Sequence, residues 1–386
     1  MMQKHNLRNI QISLLLVATL GVMSGITVVS SLPLMSQTFS TIPHIEFLSK
    51  LMLTIPSIII AFFAPFAGYI VDRWGRLKPL YVGILLFVLG GSSGFYLHDF
   101  YAILVGRAIL GFGVALIMTS STALIGDYFS EEARHKFMSK QGIAIAFGGI
   151  LFITASGFLA QMHWSYPFAI YFAPLFFLPF LLKSLYEPKK HKPNEALEVD
   201  SNLLPVYMTA FFVMVLFYMM PTQLPYLIVN TLGGEPQSIG FVIATAMSFN
   251  ALTSMQYAKI KARFSYIQIY AATFLLFAIG LLAISQVTSI AQLYFATAPI
   301  GMAFGLLLVN TNAWFLSKVP ASKRGKASGI LASSFFLGQF SSPLLFEPIV
   351  SHYGIQGLFL IISVLSALVA LVLGIKSKNT LHIGEN

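Results

Sequence analysis

The sequence predicts an all-α protein that crosses a membrane twelve times, built as two pseudo-symmetric bundles of six helices. Composition, the spacing of apolar runs and the one-sided placement of basic residues carry that prediction. Of 386 residues, 57% are hydrophobic, 9% are charged and 35 are phenylalanine, more apolar surface than a water-soluble fold can cover. Apolar runs of about 20 residues suffice to cross a hydrocarbon core about 30 Å thick as helix. They recur near 10–33, 46–70, 78–97, 100–126, 139–161, 166–183, 203–229, 237–257, 266–286, 289–317, 326–348 and 355–375. Membrane-crossing strands would alternate polar and apolar residues over about ten positions, and these runs do not.

The first span follows Lys4 and Arg8. It is too long for a secretory leader and lacks a small-residue cleavage pattern, so it reads as a retained helix. All but two of the 23 lysines and arginines fall in the terminal tails or in connections after even-numbered spans. The exceptions, Lys50 and Arg107, lie inside spans 2 and 4. This positive-inside pattern sets both termini in the cytoplasm, and the net charge of +10 then reflects topology rather than nucleic-acid binding. Trp74 and Trp314 fall at inner span ends and Trp164 at an outer one, the depth amphipathic rings prefer. The expected location is the plasma membrane, the inner membrane of a bacterium. The absence of cysteine excludes disulfides, thiolate metal sites and cysteine nucleophiles.

The long polar segment 184–202, charged and proline-bearing, reads as a flexible cytoplasmic linker. It divides the chain into bundles 1–183 and 203–386. At a fixed offset Arg73 meets Arg263 (263 − 73 = 190), and the same shift pairs Gly111 with Gly301, Arg134 with Arg324 and Gly148 with Gly338. No gap is needed across spans 4 and 5 against 10 and 11. Two parallel six-helix repeats are a transporter architecture, with the solute site expected near the midplane between them.

The connection between spans 2 and 3 reads GYIVDRWGRLKPL, with Gly68, Asp72, Arg73, Gly75 and Arg76. Glycine permits the tight turn, the arginines face anionic head groups, and Asp72 can meet a helix amino terminus or an arginine. These residues resemble the signature of the major facilitator superfamily, and the resemblance covers the whole chain. It implies a conformational latch in which Asp72 docks near the start of span 11. Ala262 replaces the aspartate in the second half, so the latch is one-sided. In span 4, Arg107, Gly111 and Gly113 in RAILGFG are similar to a pattern of the superfamily's drug:proton antiporters, with Leu110 where that pattern has glutamine. A third antiporter signature, in span 5, is poorly met: Gly149 holds the proline's place, and Phe152 and Ile153 stand where paired glycines belong. The glycine pairs Gly21 and Gly25, Gly90 and Gly94, and Gly301 and Gly305 read as close helix packing.

Arg107 lies about 12 Å along its helix from the outer end. An ionised group at that depth faces a partner or an aqueous cavity, so it is the first candidate coupling residue. The alternative is an arginine bonded to helix carbonyls. None of the 13 acids maps to mid-span. Glu46, with Lys50 four residues on, reads as an interfacial ion pair and is also the candidate proton site. Glu131 and Glu132 after Ser130 read as the first turn of a capped helix. The interior is therefore expected to hold one cation and no fixed anion, which favours neutral, zwitterionic or anionic solutes over lipophilic cations. His44, His98, His163 and His352 lie at the outer side, too spread for a metal site.

The family resemblance implies a cavity lined by spans 1, 4, 7 and 10. The face of Arg107 continues at about 100° per residue through Gly111, Met118 and Thr122, and the offset carries it to Asn312, with Asn310 pointing elsewhere. In span 7, Pro221 and Pro225 are expected to interrupt the helix, beside Tyr218, Gln223 and Tyr226. The leading expectation is a proton-coupled exporter of small amphipathic molecules, acting as a monomer among membrane lipids, with no cofactor and no nucleic acid. A siderophore exporter and a nutrient-uptake symporter are the transport alternatives. An enzyme or a membrane sensor would need a catalytic constellation or a signalling domain, and no nucleotide-binding loop or soluble domain is visible.

Overall fold

The structure, a computed structural model, describes residues 7–188, 203–319 and 324–383. Every regular element among these residues is helical. The apolar helices long enough to cross a membrane are α1 (Leu7–Thr38), α2 (Ile45–Trp74), α3 (Leu77–Tyr96), α4 (Phe100–Tyr128), α5 (Lys136–Met162), α6 (Tyr166–Ser184), α7 (Leu204–Thr231), α8 (Pro236–Lys261), α9 (Tyr266–Ser285), α10 (Ile290–Lys318) and α11 (Ala327–Ser377). A bilayer interior offers no water to an open N–H or C=O, so a chain this apolar pairs its backbone within helices. At 1.5 Å per residue, the 51 residues of α11 run for about 76 Å, more than twice a hydrocarbon core. Non-helical geometry at Gly354 (φ 71°, ψ 174°) breaks α11 into two arms that match spans 11 and 12, so eleven continuous elements fit twelve crossings.

Local chemistry sets several helix starts. The Asp99 carboxylate accepts from Ala102 N–H at 2.8 Å ahead of α4, and Ser265 with Gln268 forms a capping box on α9. Ser130 occupies the expected N-cap ahead of α5, but its hydroxyl makes no capping bond. The side chains of Glu131 and Glu132 lie outside those described. The expected break at Pro221 and Pro225 is not found: regular helix runs from Leu204 through both prolines to Tyr226. It then widens into a π turn over Leu227–Thr231, closed by Leu232 N–H on the Leu227 carbonyl at 3.0 Å. Proline removes one helical bond each, and the turn absorbs the distortion after them.

The chain divides into two compact units, Met1–Ala196 and Leu197–Asn386, and the packing of the first recurs in the second. In the first unit α2 and α3 pack on α4, and α1 packs on α5; in the second α8 and α9 pack on α10, and α7 on α11. The contacts themselves keep the 190-residue offset. A Cβ on Gly111 would lie 2.8 Å from the Pro56 carbonyl oxygen, and one on Gly301 would collide with that of Ala246. Gly90 meets Gly106 and Leu110, as Gly280 meets Ala296 and Ile300. Gly21 departs from the expected close packing, because a Cβ there would meet nothing within 4 Å.

Gly301→Leu must push α8 from α10 and is expected to lower stability by about 1–3 kcal/mol, as overpacking does. Gly126→Leu, at a position with nothing within 4 Å of an added Cβ, is expected to stay within about 0.5 kcal/mol. Melting of the detergent-purified variants checks this, and equal midpoints would refute the close approach.

Candidate functional site

The turn between α2 and α3 is a charge cluster built from four chain segments. Gly75, at φ 94°, reverses the chain. The Glu187 carboxylate, three residues beyond α6, accepts from the backbone N–H groups of Arg76 and Leu77 and so satisfies the start of α3 and its dipole. The backbone angle favours glycine at residue 75, and a Cβ there would stand 2.7 Å from a Glu187 carboxylate oxygen and displace that side chain from its cap. The Arg76 guanidinium donates to Asp72 at 2.6 Å, to Asp127 at the end of α4 at 3.0 Å and to the Val71 carbonyl at 3.3 Å. Burial opposes the charge on Arg76, but the hydrogen bonds and charges of Asp72 and Asp127 outweigh it and raise its pKa above the usual value.

Arg73 points elsewhere and donates to the Tyr69 hydroxyl at 3.0 Å. Gly68 has open space around it. Asp72 keeps 59% side-chain exposure while Arg76 and Asp127 keep 17% each. The expected latch partner is the start of span 11, where 320–323 and the side chains of 324–326 lie outside those described. Sequence reasoning missed Asp127 and Glu187. Their signal was two acids at the ends of even-numbered spans, on the side where the basic residues gather.

Arg107 is completely buried and reaches three other helices. Its Nε donates to the Met52 carbonyl at 3.2 Å, one Nη to the Ser24 carbonyl at 2.9 Å and the other to the Tyr171 hydroxyl at 2.8 Å. Tyr171 in turn donates to Ser24 O at 3.1 Å. Both carbonyls are ones that helix geometry leaves open. Met52 lies four residues before Pro56, which has no N–H to give it. Ser24 lies in the last turn of the regular helix Leu7–Ile26, where carbonyls have no partner within the helix. One turn along α4, Gly111 makes room for Pro56 itself. Offset by 190, the second unit has Ala246 for Pro56 and Thr297 for Arg107. With no proline to open a carbonyl, Thr297 donates within its own helix, to Leu293 O at 2.8 Å and Tyr294 O at 3.4 Å.

The rest of the predicted α4 face does not join this network. Met118 is 40% exposed, and Thr122, also exposed, donates to Met118 O at 2.8 Å. In the second unit Tyr218, Gln223 and Tyr226 are all buried, and neither amide atom of Gln223 has a hydrogen-bond partner among the described residues. Asn312 is exposed and donates to Leu308 O of its own helix at 2.9 Å. Asn310, set aside by the periodicity argument, is buried, accepts from the Tyr257 hydroxyl at 3.0 Å and donates to Tyr266 O at 3.1 Å. Glu46 is exposed in the first turn of α2. Lys50, read as interfacial, is completely buried, so the interior holds two basic side chains where the sequence led us to expect one.

Comparison with known proteins adds an independent line. A family model described as Major Facilitator Superfamily matches residues 14–223 and 206–381. Multidrug resistance protein 1 of Bacillus subtilis (strain 168) is 23% identical over 295 residues, covering 73% of this chain and 75% of the relative. Quinolone resistance protein NorA of Staphylococcus aureus (strain MSSA476) is 22% identical over 295 residues, with the same coverage of 73% and 75%. Among solved structures, a bacterial homolog of the human lysosomal transporter Spinster, inward-facing and occupied, superposes with a TM-score of 0.79 at 14% identity, over 96% of this chain and 97% of that one. A D-xylose-proton symporter gives 0.74 at 18% identity, over 95% and 97%. At these identities the solved structures speak to fold alone.

Arg107→Leu leaves two carbonyls and a tyrosine hydroxyl without their donor and is expected to cost about 3 kcal/mol or more, since bonds to charged groups contribute about 1.5–3 kcal/mol each. Adding Pro56→Ala restores an N–H to Met52 O, so the double variant is expected to recover about 1 kcal/mol of that loss. Unfolding midpoints of the two single variants and the double variant test the coupling, and strict additivity would sink it.

Proposed function

This chain belongs to the major facilitator superfamily of membrane transporters, and from that premise we propose that it exports small amphipathic organic molecules, neutral or anionic, in exchange for protons by alternating access. The carrying observation is a burial census. Among the described residues the buried Lys, Arg, His, Asp and Glu side chains are Lys50 and Arg107 alone, both basic, and no carboxylate is buried. In a medium of low dielectric such a field disfavours cations and favours neutral or anionic solutes. The relatives named for multidrug and quinolone resistance support export over uptake.

In this proposal Gln223 is the solute's hydrogen-bonding group. A buried amide without a partner costs about 1–3 kcal/mol, and a bound solute relieves that penalty. Tyr218 and Tyr226 flank it in α7; the exposed Asn312 in the same unit, and Met118 and Thr122 in the first unit, are the other proposed solute contacts. Glu46, at the start of α2, is the proposed proton carrier. Asp72 is the proposed moving part of the latch, because Arg76 keeps Asp127 when Asp72 leaves and so remains satisfied in both states. The protein would work as a monomer in a bacterial plasma membrane, with both termini cytoplasmic.

Reconstituted vesicles holding an internal pH dye test the reading. A neutral or anionic amphiphile is expected to drive protons in the opposite direction. Glu46→Gln is expected to abolish the proton signal, and Gln223→Leu to raise KM about 5- to 10-fold, the loss of one hydrogen bond. Movement of solute and proton in the same direction would instead establish a symporter, and solute flux without a proton signal a facilitator.

A further inference from the structure

The second unit carries an open cavity of ≈ 850 Å³ between α7, α9, the C-terminal end of α10 and both arms of α11. Its walls are apolar, with Met208, Phe212, Phe274, Leu365 and Val369 among them. Several of its polar groups gather at one end, Ser265 and Tyr266 at the start of α9, Trp314 near the end of α10 and Lys376 near the end of α11, with Thr209, Tyr270 and Ser366 elsewhere along the wall. That is the lysine-bearing side of the protein. Lys261 lies 4.2 Å over the Tyr266 ring and Lys318 5.6 Å over that of Trp314. Three lysines therefore surround this end, and no acidic residue lines the cavity.

Dimensions narrow the occupant. From Ser265 to Phe274 the wall rises about 14 Å, and from Lys376 to Ile362 about 21 Å, at 1.5 Å per residue. Half a hydrocarbon core is about 15 Å, so the cavity is about as deep as one leaflet. Met208, Phe212 and Leu365 are 45%, 52% and 51% exposed, so it is open along its length, as a flexible chain requires and a compact solute does not.

We propose that this cavity binds an anionic phospholipid from the leaflet on the lysine-bearing side. The phosphate sits among Lys376, Ser265 and the aromatic-stacked lysines, and an acyl chain lies along Phe212, Phe274 and Leu365. Charge fixes the head-group end, and the apolar wall holds the chain by burial.

Trp314 lines the cavity, and of the 3 tryptophans in the chain only Trp74 and Trp164 must be removed to make it a reporter. The Trp74→Phe, Trp164→Phe protein in detergent is titrated with phosphatidylglycerol or phosphatidylcholine carrying brominated acyl chains. Saturable quenching of Trp314 at about 5-fold lower phosphatidylglycerol than phosphatidylcholine is expected. Lys376→Gln should remove most of that preference, since one lysine near a membrane surface contributes about 5-fold. Val369→Phe, which fills the groove, should weaken quenching by both lipids. Equal quenching by the two lipids, or a preference that survives Lys376→Gln, would overturn the proposal. Quenching unaffected by Val369→Phe would place the chain elsewhere and overturn it as well.

Discussion

The structure of the first unit depends on one exchange: Arg107 supplies the hydrogen-bond donors that α1 and α2 lack. A guanidinium away from water is tolerated only when acceptors surround it. An open backbone carbonyl in the same medium is also unfavourable, by about 1–3 kcal/mol. Each defect is the other's remedy. The Pro56 gap at Met52 O and the last turn of the regular helix at Ser24 O lie on different helices, and Tyr171 brings in a third. A planar fork reaching three helices from α4 fixes their relative heights as apolar packing alone does not. Lysine, with one nitrogen on a flexible stem, has no equivalent geometry.

The second unit shows what happens when the exchange is absent. It shares the helix pairings and the glycine contact where α10 meets α8, but Ala246 and Thr297 stand where Pro56 and Arg107 do. Both members of the pair are missing together: an arginine here without the open carbonyl would lose one of its acceptors, and a proline here without the arginine would leave the carbonyl it opens to another donor. The polar centre of the second unit is neutral instead, Asn310 joining Tyr257 to the backbone of Tyr266, with Tyr270 and Thr311 2.9 Å apart beside it.

The parts legible in the sequence are those set by periodicity and by charge. The spans and the 190-residue repeat follow from which residues avoid water and which bear charge, and the helix pairings and glycine contacts keep that offset. What could not be read depends on where backbone atoms meet. Two of the three acceptors of Arg107 are helix carbonyls, the alternative that the sequence left open, but every residue carries a carbonyl, so no residue type says which ones; the third is the Tyr171 hydroxyl. Pro56 came closest, because a proline inside a span marks an open carbonyl four residues earlier. The helical wheel put Asn310 on a different face from Asn312, but a wheel about one axis does not show what that face meets, the Tyr257 hydroxyl of α8 and the Tyr266 carbonyl of α9. Pro221 and Pro225 were read as a break because proline's lost bond is visible in sequence, whereas the π turn that accommodates it downstream is not. The expected linker also begins later in effect than its composition implied, since Leu185 is buried and Glu187 caps α3.

That last detail bears on why the two units differ at their lysine-bearing ends. In the first unit the residues after α6 close down on the neighbouring turn: the Tyr128 hydroxyl and the Tyr186 backbone bond each other in both directions, and Glu187 holds the start of α3. At the 190-residue offset, Tyr186 becomes Lys376, Glu187 becomes Ser377 and Gly75 becomes Ser265. Ser265 now caps its own helix together with Gln268, so the turn needs no carboxylate from the chain end. A local cap has taken over the work of a distant acid. The end of α11 is thereby released from that contact and carries a cation into the wall of an apolar cavity instead. With Ser265 capping its own helix, the α9 amides need no acid from the chain end, and Ser377 in the place of Glu187 leaves the wall beside it with the positive charge of Lys376 rather than a negative one.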